Sequence, residues 1–498
     1  MKPAQKTPIL IAGAGPVGLA AAVDLALHGV ASIVCDDQEA VSVGSRAICW
    51  SQRTLEIFDR LGIGGRMVEK GVTWRVGRLF HRDREVYTFD LLPESGHKMP
   101  AFVNLQQYYV EQYLIDRCAD FPKLIELRWK SRVGAITQGA DTVRARIEAP
   151  DGSCEIEADY ILACDGARSS LRAGLGLEFT GQAFEERFLI ADVWMEAAFP
   201  PERWFWFEPP FHNGQSALLH KQPDNIYRID LQLGPDADPE QERQPERVNA
   251  RIKAMLGERA FELAWVSVYA FQCRRLERFV HGRVIFAGDA AHVVSPFGAR
   301  GGNGGIQDVD NLCWKLAAVL RGEAGPALVE SYNEERLRGA DENILHSSRA
   351  TNFMSPRGRV ERAFRDAVLA LAAEAPFARR LVNSGRLSQP CSLAGLSLQT
   401  PAIAGVGLAP GAPCPDAPHG EGWLLNALGG RFCLLTIGSA KTPEVAGLAY
   451  VHADSAAAIA RYGDGNVYLI RPDQHVAARF VAPSVEMIAQ AWRRALGG

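Results

Sequence analysis

The chain has 498 residues, with 54 Lys and Arg against 58 Asp and Glu, a net charge of −4, 47% hydrophobic residues and 22% charged ones. Such a length exceeds one ordinary core, so two or three domains are expected, and the near-neutral balance excludes the basic footprint of a nucleic-acid or anionic-membrane binder. Ten scattered cysteines, with no C-x-x-C and no His-Cys cluster, argue for buried thiols in a reducing compartment and against a metal site.

Pro8 to Ala12 reads as a short apolar strand, followed at once by Gly13-Ala14-Gly15-Pro16-Val17-Gly18. An amphipathic helix is predicted from there to His28, with Gly29 as its stop signal. Glycines 13, 15 and 18 break the apolar run Ile9 to Val23, and no other stretch approaches membrane-spanning length. Neither a targeting peptide nor a membrane partner is expected, and the expected location is cytoplasmic. A second strand, Ala31 to Cys35, ends in Asp36-Asp37, 23 residues after the first glycine. Strand, G-x-G-x-x-G, helix, strand and acid together form a dinucleotide fingerprint. The glycines let a pyrophosphate rest on the helix N-terminus, and Asp36 or Asp37 can bond the ribose.

A helix is predicted from Arg53 to Leu61, ending at Gly62, and another from Gln107 to Ala119. Between them, from about Trp74 to Phe102, the pattern is β-like. Ile125 to Trp129 and the alternation Val143, Ala145, Ile147 suggest a β-meander that ends at Asp165-Gly166-Ala167-Arg168-Ser169. From Phe188 to about Phe271 the period is two, which predicts an antiparallel sheet with a helix near 248–256. On one strand of it Arg228, Asp230 and Gln232 share a face opposite Ile229, Leu231 and Leu233.

The run Val284-Ile-Phe-Ala287 reads as a buried parallel strand ending at Gly288-Asp289, where open α/β sheets bind ligands. Pro296 and Gly298 then shape a turn. Gly301, Gly302, Gly304 and Gly305 read as a loop whose backbone can press against something flat, with Asn303 among them. From Ile306, helical spacing continues through Val309, Cys313, Leu316 and Leu320. Residues 327–390 look helical, 391–421 is a Gly/Pro-rich linker, and the remainder alternates strands with helices as a separate small α/β domain.

These motifs, in this order, resemble the single-component FAD-dependent aromatic hydroxylases, the group of phenol, hydroxyphenylpropionate and polyketide hydroxylases. The resemblance rests on Gly13/Gly15/Gly18, on Asp165-Gly166-Ala167-Arg168-Ser169, and on Gly288-Asp289 with Pro296, Gly298, Gly301, Asn303 and Asp308. It implies an α/β fold: a Rossmann-like FAD-binding domain (1–74, 105–180 and 275–390), an inserted antiparallel-sheet substrate domain (75–104 and 181–274), and a thioredoxin-like C-terminal domain (391–498). It further implies that Asp36 binds the adenosine ribose, that Arg46 and Gln107 contact FAD, and that Asp289 bonds the ribityl chain. Loop 296–303, with Gly301, Gly302 and Asn303, would lie over the isoalloxazine, and a helix from about Gly304 would point at its pyrimidine edge. Asp165-Gly166 would border the pyrophosphate region and be associated with NADH or NADPH use.

The implied activity is NAD(P)H-dependent hydroxylation of a small phenolic aromatic substrate by O₂ through a flavin C4a-hydroperoxide, with a homodimer allowed. The C-terminal segment has no C-x-x-C, so a thioredoxin-like domain there would be structural. Where some phenol hydroxylases place an aspartate base after the position of Arg46, this chain has Ile48-Cys49-Trp50, so that base is not carried over. The candidates for substrate handling are His220 and Tyr227 for a phenol proton, Arg228 for a substrate carboxylate, and Pro296 at the flavin loop. Each has a plainer alternative as a sheet or turn residue. Trp204, Phe205, Trp206 and Phe207 line a pocket or fill core. An oxidase or reductase, a monooxygenase of a non-phenolic drug-like or polyketide molecule, and a non-catalytic flavin sensor stay open as alternatives.

Overall fold

The computed structural model describes residues 4–41, 44, 46–212, 214–234, 236–356, 358–382 and 387–498. Its first layer is a sheet whose strands run Val280–His281, Val284–Phe286, Gly152–Ala163, Gln5–Ala12, Ser32–Cys35, Ile125–Arg128. The four central pairings from Val284–Phe286 to Ile125–Arg128 are parallel. Ile125–Arg128 therefore belongs to the parallel sheet and not to the expected meander, which is formed by Arg132–Gln138, Val143–Ala149 and the start of Gly152–Ala163.

The helix Pro16–Leu27 is buried at every residue from Gly18 to Ala26, so the expected amphipathic pattern is corrected to a core helix. It lies between the parallel sheet and the helices Gly301–Leu320 and Gln107–Cys118, which leaves it no solvent face. The small alanines make that close three-sided packing possible.

The second large sheet runs His292–Val293, Glu262–Arg275, Thr180–Trp194, Ile226–Leu233, Ala217–Lys221, Arg203–Phe207, Val76–His81, Arg84–Asp90. It is not wholly antiparallel, because Arg203–Phe207 pairs with Val76–His81 in parallel. Phe102–Asn104 stands apart from it, bridging Cys49–Ser51 and Val72–Trp74 in a three-stranded sheet. One face of the large sheet packs on the helix Pro245–Leu256 through Tyr227, Ile229, Leu231, Val248 and Ile252. The other face looks toward the residue 288–300 region, where Phe297 joins Phe188 and Phe271 in one cluster.

Helices Ala327–Met354, Arg359–Glu374 and Pro376–Val382 follow the helix Gly301–Leu320. Beyond residue 391 a four-stranded sheet forms in the order Ala449–Ala453, Cys433–Ile437, Val467–Ile470, Val476–Phe480, with its first pair parallel and the others antiparallel. Among the described residues no helix is long and apolar enough to cross a membrane.

Candidate active site

The first glycine turn closes against the neighbouring strands. Gly13 has φ +102°, and a Cβ there would stand 2.4 Å from the Cys164 carbonyl oxygen, so both backbone and space demand glycine. A Cβ on Gly18 would meet the Gly13 carbonyl oxygen at 1.9 Å, whereas one on Gly15 would find no protein atom within 4 Å. The first and third glycines thus serve packing, and the second faces open space at the helix N-terminus. Asp36 accepts from the Ala14 amide at 2.6 Å and the Gln38 amide at 2.8 Å. Asp37 is turned outward to the Gln38 side-chain amide, so it is Asp36 that stands beside the glycine turn.

The second turn is held from behind by one buried carboxylate. Asp308 accepts from the Gly288 amide at 2.9 Å and from Arg336 Nε at 2.7 Å, and it lies 2.7 Å from His292 Nε2. Burial alone would raise its pKa, but His292 and Arg336 hold it below the usual aspartate range. Asp289, next to the anchored Gly288, is open to solvent on one side yet walled by protein on the others. That enclosure raises its pKa, partly offset by His292 and Arg46.

Gly301, Gly302, Gly304 and Gly305 are not a loop: the helix begins at Gly301, three residues earlier than expected. Four helical glycines cost about 1 kcal/mol each in propensity, which close approach must offset. A Cβ on Gly305 would lie 2.7 Å from Val17 and 3.1 Å from Gly288 Cα, and one on Gly302 would lie 3.4 Å from Trp50. The glycines therefore let this helix press between the first helix, the 288 turn and the strand Cys49–Ser51. Asn303 is also corrected. Its Oδ1 accepts from the Ser51 amide and hydroxyl and its Nδ2 donates to the Cys49 and Ala299 carbonyls, so the side chain is spent on joining helix to strand. Pro296 opens a turn closed by the Ala299 amide, 3.0 Å from the Pro296 oxygen, and is exposed. It brings no proton-transfer group, so its catalytic expectation reduces to shaping that turn.

Arg46 is exposed and close enough to Asp289 to act on it electrostatically. Gln107 braces the same segment, accepting from the Ala47 amide at 3.2 Å and donating to Glu111 at 2.7 Å. Asp165 accepts from the Leu171 amide at 3.2 Å, while its buried Oδ1 has no partner among the described residues.

Across the cleft, strand register places Asp192, Arg228, His220 and Arg203 side by side in one cross-strand row. All four are buried. Arg228 donates to both oxygens of Asp192, at 2.9 and 3.2 Å, and to the Arg46 carbonyl at 2.9 Å. It is a bracket for the Arg46 segment as well as a candidate anion contact. His220 Nδ1 lies 3.9 Å from Cys49 Sγ, and burial, with Arg203 and Arg228 nearby, holds the imidazole well below its ordinary pKa and so neutral. Burial pushes the Cys49 thiol up to about 11.

Tyr227 sits on the opposite face, where its hydroxyl donates to the Ala197 carbonyl at 2.7 Å inside the cluster against the helix Pro245–Leu256. The sheet itself separates it from the cleft, which removes it from the candidate set. Alternation likewise splits the aromatic strand. Phe205 and Phe207 face the cleft side, whereas Trp204 and Trp206 line an outer groove of about 490 Å³ with Phe80 and Phe211. Three buried groups had not been singled out: Asp192, Arg203 and, by role, Asp230. Burial raises Asp230 to about 6 against the pull of Arg228, and its Oδ1 has no partner among the described residues. The one available signal was Arg203 sharing the parity of Phe205 and Phe207 in an otherwise aromatic strand.

The FAD binding domain family model matches residues 6–347. The chain belongs to the FAD binding domain family. A 3-(3-hydroxy-phenyl)propionate/3-hydroxycinnamic acid hydroxylase of Mycolicibacterium smegmatis is 28% identical over 375 residues, 75% of this chain and 66% of that protein. A flavin-dependent monooxygenase of Mycobacteroides abscessus is 32% identical over 350 residues, 66% of this chain and 71% of that one. The match thus spans just under two thirds of the hydroxylase relative's length. Among solved structures, the flavin-dependent monooxygenase PieE in complex with FAD and substrate has a TM-score of 0.82 at 22% identity, covering 99% of both chains. The substrate-free rebeccamycin biosynthetic enzyme RebC has a TM-score of 0.78 at 25% identity, again over 99% of both.

FAD is the cofactor of this flavoprotein family, and the residues present fit it. Gly15 leaves an open approach to helix amides, suited to a pyrophosphate. Asp36 has two lone-pair sites beyond its two backbone donors, enough for a ribose. The orphaned Asp165 Oδ1 and the enclosed Asp289 carboxylate both await donors. The first amides of the helix Gly301–Leu320 lack intrahelical partners, and its positive dipole end lies beside the 288 turn.

Proposed function

We propose that this flavoprotein is an NAD(P)H-dependent monooxygenase that hydroxylates a phenolic ring. When bound, FAD supplies the transfer of electrons from NAD(P)H and the activation of O₂. The observation that carries the reading is the closure of the cleft by aromatic packing. Phe297 lies 4.9 Å from Phe188 and 5.4 Å from Phe271, ring centre to ring centre, which pins the 296–300 turn against the sheet that bears the buried polar row. Oxygen transfer requires that bulk water be kept out, and Phe297, itself buried, supplies apolar cover on this side of the sheet.

The chain's own residues then orient and deprotonate. Neutral His220 offers a hydrogen-bond acceptor to a ring hydroxyl. Asp230 is the better-placed base, because its free Oδ1 and a pKa of about 6 suit proton abstraction near neutral pH. Arg46, Gln107, Asp36, Asp165 and Asp289 hold the cofactor in this reading. Residues 391–498, as a thioredoxin-like module, have a structural role. Relatives named as aromatic hydroxylases and a flavin-dependent monooxygenase support the class.

The test is product mass under labelled O₂ with a panel of phenols and either nicotinamide. A substrate that stimulates NAD(P)H oxidation is expected to gain one labelled oxygen on its ring. Stimulated oxidation with no labelled product across the panel would replace this reading with an oxidase.

A further inference from the structure

The guanidinium of Arg203 is anomalous for a buried charge. The residue is 8% exposed, yet no hydrogen bond or ion pair joins its side chain to any described residue. Its neighbour in the same row, Arg228, has Asp192 as an ion-pair partner. Charge burial without a partner is costly, and folded proteins keep it where a ligand completes the site. The surroundings do not neutralise Arg203. His220 is held neutral beside it, Arg300 lies close enough for the two guanidiniums to oppose each other's charge, and Asp230 interacts electrostatically without forming an ion pair.

We propose that Arg203 is the anchor for a carboxylate on the aromatic substrate, so that the protein selects hydroxylated aromatic acids over neutral phenols. This rests on the hydroxylase reading and deepens it. Strand spacing supports the match. Arg203 and Asp230 lie two strands apart and one cross-strand row apart, which separates their backbones by roughly 12 Å. With both side chains reaching inward, the gap suits a ring that carries a hydroxyl at the Asp230 end and a carboxylate at the Arg203 end. A guanidinium binds a carboxylate through two parallel hydrogen bonds, a geometry that no neutral amide reproduces.

The experiment uses the FAD-loaded full chain and three probe pairs: 3-hydroxybenzoate, 3-hydroxyphenylacetate and 3-(3-hydroxyphenyl)propionate, each against its primary amide. Binding is followed by the flavin absorbance change, and ligand-free stability by thermal melting. At least one acid is expected to bind tenfold or more tightly than its amide. In Arg203→Met that preference falls to within about threefold through loss of acid binding, with amide affinity unchanged. The ligand-free Met variant is expected to melt at or above the parent's temperature, because an uncompensated buried charge has been removed. Equal binding of acids and amides by the parent overturns the proposal and leaves the hydroxylase reading standing. So does a preference that survives in Arg203→Met, or a Met variant that melts lower, which marks a structural arginine. Binding of neither acids nor amides overturns the proposal together with the reading beneath it. The parent comparison decides the matter even if the variant fails to fold.

Discussion

Arg471, just past the strand Val467–Ile470, grips Glu335 of the helix Ala327–Met354 through two guanidinium–carboxylate hydrogen bonds of 2.5 and 2.9 Å, with both side chains fully buried. Lys315 and Asn311, on the helix Gly301–Leu320, donate to the same carboxylate at 2.7 Å each. Arg53 reaches the Asp473 carbonyl at 2.8 Å. The C-terminal sheet is thus bolted to the back of the glycine-rich helix and to the helix behind the strand Cys49–Ser51.

Breaking that bolt leaves Lys315 without its carboxylate and Arg471 with Asp473 alone. Glu335→Ala is expected to lower unfolding free energy by about 3–5 kcal/mol, the range for removing one partner of a buried ion pair. Denaturant titration of the FAD-loaded protein checks it. A loss under about 1 kcal/mol would mean that Arg471 and Lys315 find other partners.

Asp289→Ala should weaken FAD binding by about 1.5–3 kcal/mol, the usual worth of a hydrogen bond to a charged group. Asp308→Ala should do more, since it frees the Gly288 amide and leaves Arg336 and His292 without their shared acceptor. Flavin retained after dialysis, measured for both variants, tests the order. Unchanged FAD affinity in Asp289→Ala would remove that residue from the cofactor contacts.

Asp230 makes stability depend on pH. Burial raises its carboxyl to about 6, while an unfolded aspartate titrates near 4, so the folded state holds the proton more tightly. Its stabilising contribution is complete below pH ~4 and is lost as pH rises through 6, worth about 3 kcal/mol for roughly two units. Asp230→Asn should flatten the fall in urea-unfolding free energy between pH 4 and 7 and lower kcat/KM for phenols by about 10²–10⁴-fold. An unchanged pH profile of stability would show that Asp230 is already ionised in the fold.

Gly298 has φ +99°, and a Cβ there would come within 1.8 Å of the Arg300 side chain. Gly298→Val should therefore displace the turn that Phe297 pins. The expected result is bound FAD with a raised ratio of hydrogen peroxide to hydroxylated product, measured by peroxide assay against product yield. A parental ratio would mean that the turn does not seal the cleft.

Much of the cofactor side was legible in the residues themselves, because its features are local. A strand, a glycine turn, a helix and an acid at the next strand end follow one another within the 29 residues from Pro8 to Asp36, and Gly288-Asp289 repeats the pattern of a strand ending in an acid. Short-range periodicity and backbone freedom determine such units. What alternation alone leaves undetermined is which face of a strand meets which neighbour. Arg228 and Tyr227 are adjacent in the chain, and only the packing of the helix Pro245–Leu256 on one side and Phe297 on the other decided that Tyr227 is core and Arg228 lines the cleft. Likewise the row Asp192, Arg228, His220, Arg203 draws on four strands, so its charge balance exists only in their register. Whether Gly301 to Gly305 formed a loop or a helix was decided by tertiary contact as well. Glycine's low helix propensity favoured the loop, and close packing against Val17, Gly288 and Trp50 outweighed it.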